Sequence, residues 1–161
     1  MTIAVGDRLP EATFFVMTPD GPAKRTTQEI FGGRKVVLFA VPGAFTPTCH
    51  MNHLPGFVQH GDAIRAKGID AILVTSVNDV FVMDAWRKAS GCGDAIEFLA
   101  DGNGDFAKAI GMNVDGSAQG RGIRSLRYSM VVEDGVVRMV NVGDKPGEAQ
   151  ISGAENLLAQ L

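Results

Sequence analysis

One cysteine stands where its sulfur could act as a nucleophile. The segment Thr46-Pro47-Thr48-Cys49 follows an apolar run that ends at Ala40. Threonine before proline is typical of a helix start, with Thr46 as N-cap and Cys49 as the third helical residue. Unpaired backbone N–H groups and the positive end of the helix dipole favour an anion there. We therefore expect Cys49 to ionise more readily than a free cysteine, and the thiolate is the reactive form. The alternative is a small buried apolar side chain.

Two further side chains could assist such a thiolate in attacking a peroxide. The oxygens that gain electron density as the O–O bond breaks need hydrogen-bond donors or positive charge. The Thr46 hydroxyl is one turn before Cys49 and could reach the same space while it caps the helix. Arg127, at the start of a later strand, could supply a guanidinium with several donors. The sequence alone does not place Arg127 against Cys49, and three other arginines compete with it: Arg121, Arg124 and Arg138.

The elements that would hold these residues alternate between strands and helices. Apolar runs, turn residues and caps predict strands at 13–17, 35–41, 69–75 and 96–100, and helices at 47–66, 78–90 and 105–110. Asp134-Gly135 between two apolar runs predicts a hairpin over 127–141. We expect an N-terminal hairpin that reaches Thr26 and one helical turn over 27–31. The order predicts a single α/β domain over residues 1–161, with a mixed central sheet and flanking helices.

Four local predictions concern helix ends and loops. Pro55 lies inside the helix that carries Cys49, which predicts a kink near Met51 or a division into two helices. Asn78 is expected to cap the next helix. The pattern Ser152-Gly153-Ala154-Glu155 predicts a capping box that opens a C-terminal helix. Residues 113–122 contain three glycines and no apolar periodicity, and we expect a mobile loop there.

Composition excludes several classes of function. The 161 residues are 45% hydrophobic and 20% charged, with a net charge of −3 and no basic cluster, which argues against nucleic-acid binding. No apolar segment approaches the roughly 20 residues that span a bilayer. The N-terminus lacks a basic region followed by an apolar stretch, so we expect no secretory signal. Two cysteines without a CxxC motif predict reduced thiols and a cytoplasmic location.

Several segments together resemble the peroxiredoxins, and more narrowly their type II subfamily, also called the peroxiredoxin-five group. The segments are PGAFTPTC at 42–49, HLPGF at 53–57, SVND at 76–79, FLAD at 98–101 and RYSMVVEDG at 127–135. They occur in the order typical of that subfamily and cover nearly the whole chain. The resemblance implies a thioredoxin-like fold with an N-terminal hairpin extension, and no metal or cofactor.

The resemblance also implies the roles of the site residues. Pro42, Thr46, Cys49 and Arg127 would form the active-site quartet, with Cys49 as the peroxidatic cysteine that hydrogen peroxide or alkyl hydroperoxides oxidise to a sulfenic acid. The backbone N–H groups of Thr48 and Cys49 would bind the peroxide, while Thr46 and Arg127 polarise it. Pro42 would shield the sulfenate from water.

A homodimer packed through the active-site edge is a further implication of the resemblance. Four residues are candidates for exposed apolar contacts at that edge: Ala44, Phe45, Phe81 and Trp86.

The second cysteine departs from the subfamily pattern. Some members carry a resolving cysteine late in the chain or in the strand that corresponds to 72–75, and this chain has neither. Cys92 lies between Gly91 and Gly93, so we expect an exposed, flexible thiol that could approach Cys49 or be incidental. A disulfide would need Cα atoms within roughly 7 Å. The default is a one-cysteine mechanism, with reduction by glutaredoxin plus glutathione or by thioredoxin.

The remaining features leave the substrate and two other functions open. The glycine-rich loop at 116–122 stands where some members have apolar residues, so the preferred peroxide is undetermined. His50 and His53 give only a CxxxH pattern with Cys49, which is weak evidence for a metal, and we expect them at the surface or beside the site. A thiol–disulfide oxidoreductase would need CxxC, whereas residue 46 is threonine. A peroxide sensor would use the same residues, and only turnover distinguishes it from an enzyme.

Overall fold

The computed structural model describes residues 2–161, which form a seven-stranded mixed sheet and a separate two-stranded one. The strands are β1 Thr13–Thr18, β2 Gly21–Thr26, β3 Lys35–Ala40, β4 Ala71–Ser76, β5 Glu97–Ala100, β6 Asn113–Asp115, β7 Ile123–Ser125, β8 Tyr128–Glu133 and β9 Val136–Val142. The large sheet has the order β2-β1-β5-β4-β3-β8-β9, and β6 pairs with β7. The three central strands β5, β4 and β3 are parallel, and the outer pairings are antiparallel. The mixed sheet is therefore as predicted.

The helices cover both faces of the large sheet. They are α1 Thr27–Phe31, α2 Leu54–Gln59, α3 Gly61–Arg65, α4 Val80–Ser90, α5 Asp105–Ala109 and α6 Ala154–Gln160, with a π-helical turn over Cys49–His53 and a 3₁₀ turn over Ser117–Gln119. Among residues 2–161, none of the helices has the length and apolar character needed to cross a membrane.

The core has two apolar layers, one on each face of the sheet. One layer includes Cys49, Phe57 and Trp86, and the other includes Phe31 and Phe106. Strands β3 and β4 are buried almost along their whole lengths. Burying each large apolar side chain stabilises the fold by about 2 kcal/mol. Because both faces of β3 and β4 are buried, most of their residues form continuous apolar runs instead of alternating with polar ones.

Both predicted hairpins are present. β1 and β2 pair from Thr13–Thr26 to Thr18–Gly21. The turn between β8 and β9 has positive φ at both central residues, 46° at Asp134 and 78° at Gly135, as this kind of tight hairpin turn requires.

The helix predicted over 47–66 is not continuous, and it does not divide at Pro55. A π-helical turn covers Cys49–His53, in which the N–H of Leu54 reaches back to the Cys49 carbonyl. Pro55 has no N–H to continue the α-helical pattern, and the wider turn before it accommodates the missing donor. The helix is interrupted instead at His60, between α2 and α3.

Two other local predictions were wrong, and the segment predicted as a loop over 113–122 contains regular structure. Asp79, not Asn78, caps α4, because its carboxylate accepts from the Val82 N–H. The predicted capping box at Ser152 does not form: Gly153 is the N-cap of α6, with no side-chain cap. Residues 113–122 contain β6 and the 3₁₀ turn, and a 2.7 Å bond from the Gly116 N–H to the Gly122 carbonyl closes the loop between β6 and β7.

Candidate active site

The turn between β3 and the helix is held in one geometry by side-chain hydrogen bonds. Phe45 adopts a positive φ of 64°, which is strained for a residue with a side chain. The Thr46 hydroxyl donates to the Gly43 carbonyl at 2.7 Å. The Ala44 N–H donates to the Asn78 Oδ1 at 3.0 Å. A Cβ on Gly43 would lie 3.1 Å from the Thr46 methyl group, so the turn packs tightly around a glycine.

Cys49 and Arg127 meet at the end of this turn. The Arg127 Nη2 donates to the Cys49 Sγ at 3.0 Å, and Cys49 is fully buried. Sheet pairing explains the contact, since Tyr128 in β8 is opposite Ala40, the last residue of β3. Arg127 directly precedes β8 and therefore lies beside the end of β3, where the turn that leads to Cys49 begins. The guanidinium places positive charge beside the sulfur.

The start of the helix leaves donors free beside the sulfur. The Thr46 carbonyl accepts the first helical bond, from the His50 N–H at 2.8 Å. Within residues 2–161, the Thr48 and Cys49 N–H groups donate no hydrogen bond to a protein acceptor. Thr46 thus occupies the N-cap position, but its hydroxyl does not cap the helix as expected. Because that hydroxyl donates to Gly43, its oxygen lone pairs remain available as acceptors. Pro42 is half-buried in the same turn.

His53 holds the other side of the Arg127 guanidinium. Its Nε2 lies 2.9 Å from the Ser152 carbonyl, and its Nδ1 lies 3.0 Å from Arg127 Nη1. A carbonyl can only accept, so Nε2 carries the proton and Nδ1 accepts from Arg127. His53 is therefore a neutral imidazole. Burial is the main reason that the pKa of His53 is lowered to about 4. The hydrogen bond to the Ser152 carbonyl raises this pKa, the Arg127 charge lowers it further, and the Asp144 charge raises it.

Asn78 and His53 are the site residues whose roles the sequence did not reveal. The Asn78 Oδ1 accepts from the Ser76 hydroxyl at 2.6 Å as well as from Ala44. Asn78 thus connects the end of β4 to the turn before Cys49. In the sequence, the SVND segment predicts a helix cap at Asn78, and the CxxxH spacing predicts only that His53 lies at the surface or beside the site.

The competing arginines bind other partners, although Arg124 lies close to the active-site turn, with its Nη1 3.6 Å from where a Cβ on Gly43 would stand. Arg124 donates from Nη1 to the Val77 carbonyl at 2.9 Å and from Nε to the Arg121 carbonyl at 2.8 Å. Arg138 pairs with Glu133 at 3.8 Å. Among the four arginines that the sequence left open, the described hydrogen bonds connect only Arg127 to Cys49.

Cys92 is not the exposed thiol that its flanking glycines suggested. Only 8% of the residue is exposed, and it packs in the same apolar layer as Cys49. Gly91 and Gly93 have φ angles of 66° and 57°, so they provide left-handed turns that fold Cys92 inward at the end of α4. Burial raises the pKa of the Cys92 thiol. Both cysteines are free thiols in the structure.

Two of the four candidates for apolar contacts are exposed. The exposed fractions are 47% for Phe45 and 64% for Phe81, while Ala44 is half-buried. Trp86 is fully buried, so its assignment as an exposed contact was wrong. Its indole N–H donates to His50 Nδ1 at 3.1 Å, and its ring packs edge-to-face on Phe98. Trp86 belongs to the apolar face of α4, and that face packs against the sheet.

A cavity of about 640 Å³ lies away from Cys49. It is bounded by the β1–β2 hairpin, α4 and β5, and neither Thr46 nor Arg127 lines it. In the part of the chain that the structure describes, no group of three or more His, Cys, Asp or Glu side chains could hold a metal ion.

Comparisons with known proteins show the family of the chain. A family model described as Redoxin matches residues 4–158. The chain is 49% identical to peroxiredoxin-2E-2, chloroplastic, of Oryza sativa subsp. japonica, over 99% of this chain and 73% of that protein. It is 44% identical to peroxiredoxin-2C of the same organism, over 99% and 98%. The crystal structure of reduced Prx3 in complex with hydrogen peroxide from Vibrio vulnificus superposes with a TM-score of 0.93 at 46% identity, covering 99% of both chains.

The buried neutral His53 should make stability depend on pH. Between its native pKa of about 4 and its ordinary value of 6.5, the unfolded state binds a proton that the native state does not. The free energy of unfolding should therefore fall by about 3 kcal/mol as the pH decreases through that window, on top of other groups' contributions. Denaturant titrations of wild type and His53→Gln at several pH values would measure the difference. His60→Gln is the control and should keep the wild-type slope; equal slopes in all three proteins would contradict the assignment.

Removing the Asn78 side chain should destabilise the turn before Cys49. Asn78→Ala leaves the Ala44 N–H and the Ser76 hydroxyl without their acceptor, and we expect unfolding to become easier by about 1–3 kcal/mol. Asn78→Asp retains the accepting oxygen and should lose less. Chemical denaturation of both variants measures the effect. A loss for Asp as large as for Ala would show that the shared acceptor is not what stabilises the turn.

Proposed function

Since the chain belongs to the Redoxin family and is a peroxiredoxin, a thiol-dependent peroxidase, we propose that Cys49 is its peroxidatic residue and that hydrogen peroxide and alkyl hydroperoxides are its substrates. The observation that supports this most strongly is the 3.0 Å contact between Arg127 Nη2 and the Cys49 sulfur at the start of a helix. The similar Vibrio structure contains hydrogen peroxide, which supports the same substrate class here.

The first step transfers one oxygen atom to sulfur. The Cys49 thiolate attacks the nearer peroxide oxygen, so an S–O bond forms as the O–O bond breaks. The departing oxygen takes a proton and leaves as water or an alcohol, and Cys49 becomes a sulfenic acid. Negative charge moves from sulfur to the leaving oxygen during this step. The Arg127 guanidinium lies beside that path and can stabilise the charge at both stages.

Different groups around the sulfur would bind different atoms of the peroxide. The free N–H groups of Thr48 and Cys49 can donate to the peroxide oxygens. The Thr46 oxygen, whose own proton is donated to the Gly43 carbonyl, can accept the peroxide hydrogen. Thr46 thus orients the substrate as an acceptor, rather than as the donor that the sequence suggested. Pro42, in the same turn, shields the sulfenate from water.

The resolving thiol comes from a second molecule in this proposal. Cys92 is buried, and its raised pKa disfavours the thiolate that would have to attack the sulfenic acid. An external thiol instead forms a mixed disulfide with Cys49 and releases water. A second thiol then attacks that disulfide and regenerates Cys49. Glutaredoxin with glutathione, or thioredoxin, could supply both thiols.

Three proteins test the proposal: wild type, Cys49→Ser and Cys92→Ser. With hydrogen peroxide and a glutathione–glutaredoxin or thioredoxin system, wild type and Cys92→Ser should consume peroxide over many turnovers, and Cys49→Ser should show none. After one equivalent of peroxide without reductant, intact mass should show one added oxygen on wild type. A single oxidation per chain with no turnover under either system would favour the peroxide sensor. A Cys49–Cys92 disulfide would replace the one-cysteine mechanism.

We also propose that two copies associate through the edge that carries Phe45 and Phe81. Both rings are exposed, Phe45 in the active-site turn and Phe81 in the first turn of α4, and burying them would remove apolar surface from water. Sedimentation velocity at micromolar concentration should show a dimer, and Phe81→Glu should shift it to monomer. Val5→Glu, at another exposed apolar side chain, should leave the dimer intact. A wild-type monomer, or equal effects of both substitutions, would refute this edge as the interface.

A further inference from the structure

A loop near the C-terminus is organised around one carboxylate, that of Asp144. Asp144 Oδ1 accepts from the backbone N–H groups of Gln150 and Ile151 at 2.9 and 2.7 Å. Its Oδ2 accepts from the Ser152 N–H at 2.9 Å and from the Ser152 hydroxyl. Four donors thus converge on one side chain. Burial alone would raise the pKa of Asp144, but these hydrogen bonds from Ser152, Ile151 and Gln150 hold it below its usual range.

This loop, residues 143–153, touches the active-site helix at two points. The Thr48 hydroxyl donates to the Gly147 carbonyl at 3.2 Å, directly beside Cys49. The Ser152 carbonyl accepts from His53 Nε2 at 2.9 Å. Because Asp144 binds both the N–H and the hydroxyl of Ser152, it determines where that carbonyl points. The Ser152 hydroxyl therefore binds Asp144 and does not form the capping box that the sequence pattern predicts.

The contact at Ser152 continues through His53 to the sulfur. The Ser152 carbonyl keeps the proton on Nε2, so Nδ1 stays bare and accepts from Arg127 Nη1. The rings of Phe39 and Phe57, with centroids 5.0 and 5.5 Å from His53, pack against the imidazole. With one nitrogen of the guanidinium held by His53, the other donates to Cys49 Sγ. If the carbonyl moved away, Nε2–H would lose its buried acceptor, and only the Arg127 donor would still favour that tautomer. A proton on Nδ1 would then repel the guanidinium from its place beside Cys49.

We propose that Asp144 is a positioning residue for the peroxidase reaction, acting through the Ser152 carbonyl, His53 and Arg127 on the Cys49 sulfur. The inference rests on the proposed function of Cys49. Asp144 touches neither substrate nor sulfur. Its effect is to keep a neutral His53 in one tautomer, so that the guanidinium is already oriented when peroxide arrives. Misplacement of a catalytic group by about 1 Å can lower a rate about 100-fold, so remote positioning can matter as much as direct contact.

Two readouts on four proteins test this proposal: wild type, Asp144→Ala, Ser152→Ala and Glu148→Gln. Glu148 is an exposed carboxylate of the same loop and serves as the matched control. The first readout is the second-order rate constant for oxidation of Cys49 by hydrogen peroxide in a single turnover. We expect Asp144→Ala to lower it about 10- to 100-fold. Ser152→Ala removes one donor and keeps the carbonyl, so it should lower the rate less than Asp144→Ala, and Glu148→Gln should match wild type.

The second readout is the tautomer of His53, from long-range proton–nitrogen NMR of the imidazole. Wild type should show a single Nε2–H form, and Asp144→Ala should show a mixture of the two tautomers. A loss of stability alone would change neither the tautomer nor the rate constant of the folded protein. A wild-type tautomer and a wild-type rate in Asp144→Ala would overturn the proposal. If Asp144→Ala does not fold, Asp144→Asn, which retains one accepting oxygen, replaces it under the same criteria.

The two readouts separate this inference from the proposed function. Suppose that wild type reacts slowly with peroxide, but that Asp144→Ala shows a mixture of His53 tautomers. The hydrogen-bond chain then exists and the peroxidase assignment fails. The positioning proposal is then overturned as a statement about catalysis. If wild type reacts rapidly and Asp144→Ala reacts equally fast, the peroxidase assignment stands and the positioning role fails.

Discussion

The hydrogen bond between the Arg127 guanidinium and the Cys49 sulfur depends on most of the fold. The sulfur lies at the start of a helix that follows β3, and the arginine lies at the start of β8, which is antiparallel to β3. Antiparallel pairing brings the start of one strand beside the end of the other, so two residues 78 positions apart in sequence meet at the same end of the sheet. Any change that slides β8 along β3 by one residue would reverse the direction of every side chain in it and break this contact.

A half-buried cation beside the sulfur limits which other groups can lie there. A guanidinium that is partly removed from water needs partners for its donors, and a second positive charge nearby would be unfavourable. His53 meets both requirements because it is neutral and offers a bare nitrogen to Arg127. The aromatic rings of Phe39 and Phe57 against the imidazole exclude water and favour its uncharged form. The histidine, the arginine and the cysteine thus act as one electrostatic unit.

The backbone around Cys49 carries unusual geometry that its neighbours stabilise. The positive φ at Phe45 and the π-helical turn over Cys49–His53 are both less favourable than regular structure. Side chains hold the turn on one side, through Asn78 and the Thr46 hydroxyl. The loop of Asp144 holds the helix on the other side, at Thr48 and His53. Such geometry places the sulfur and the free N–H groups together, which a regular helix start would not achieve with a proline at residue 55.

The sequence by itself determined the order and type of most elements, because these depend on local patterns. Apolar runs specified β3 and β4, and Asp134-Gly135 specified the hairpin turn, since its residues tolerate a positive φ. The resemblance added the choice of Arg127 among four arginines. Predictions from local patterns were wrong where a polar side chain could form hydrogen bonds with several different partners. Asn78 and Ser152 have the residue types of helix caps, yet the structure uses them to bind Ala44 and Asp144. Glycines around Cys92 suggested exposure, but only the packing of α4 decided that this thiol lies inside. A side chain's hydrogen-bond partner depends on which distant segments lie beside it, and that arrangement exists only once the sheet has formed.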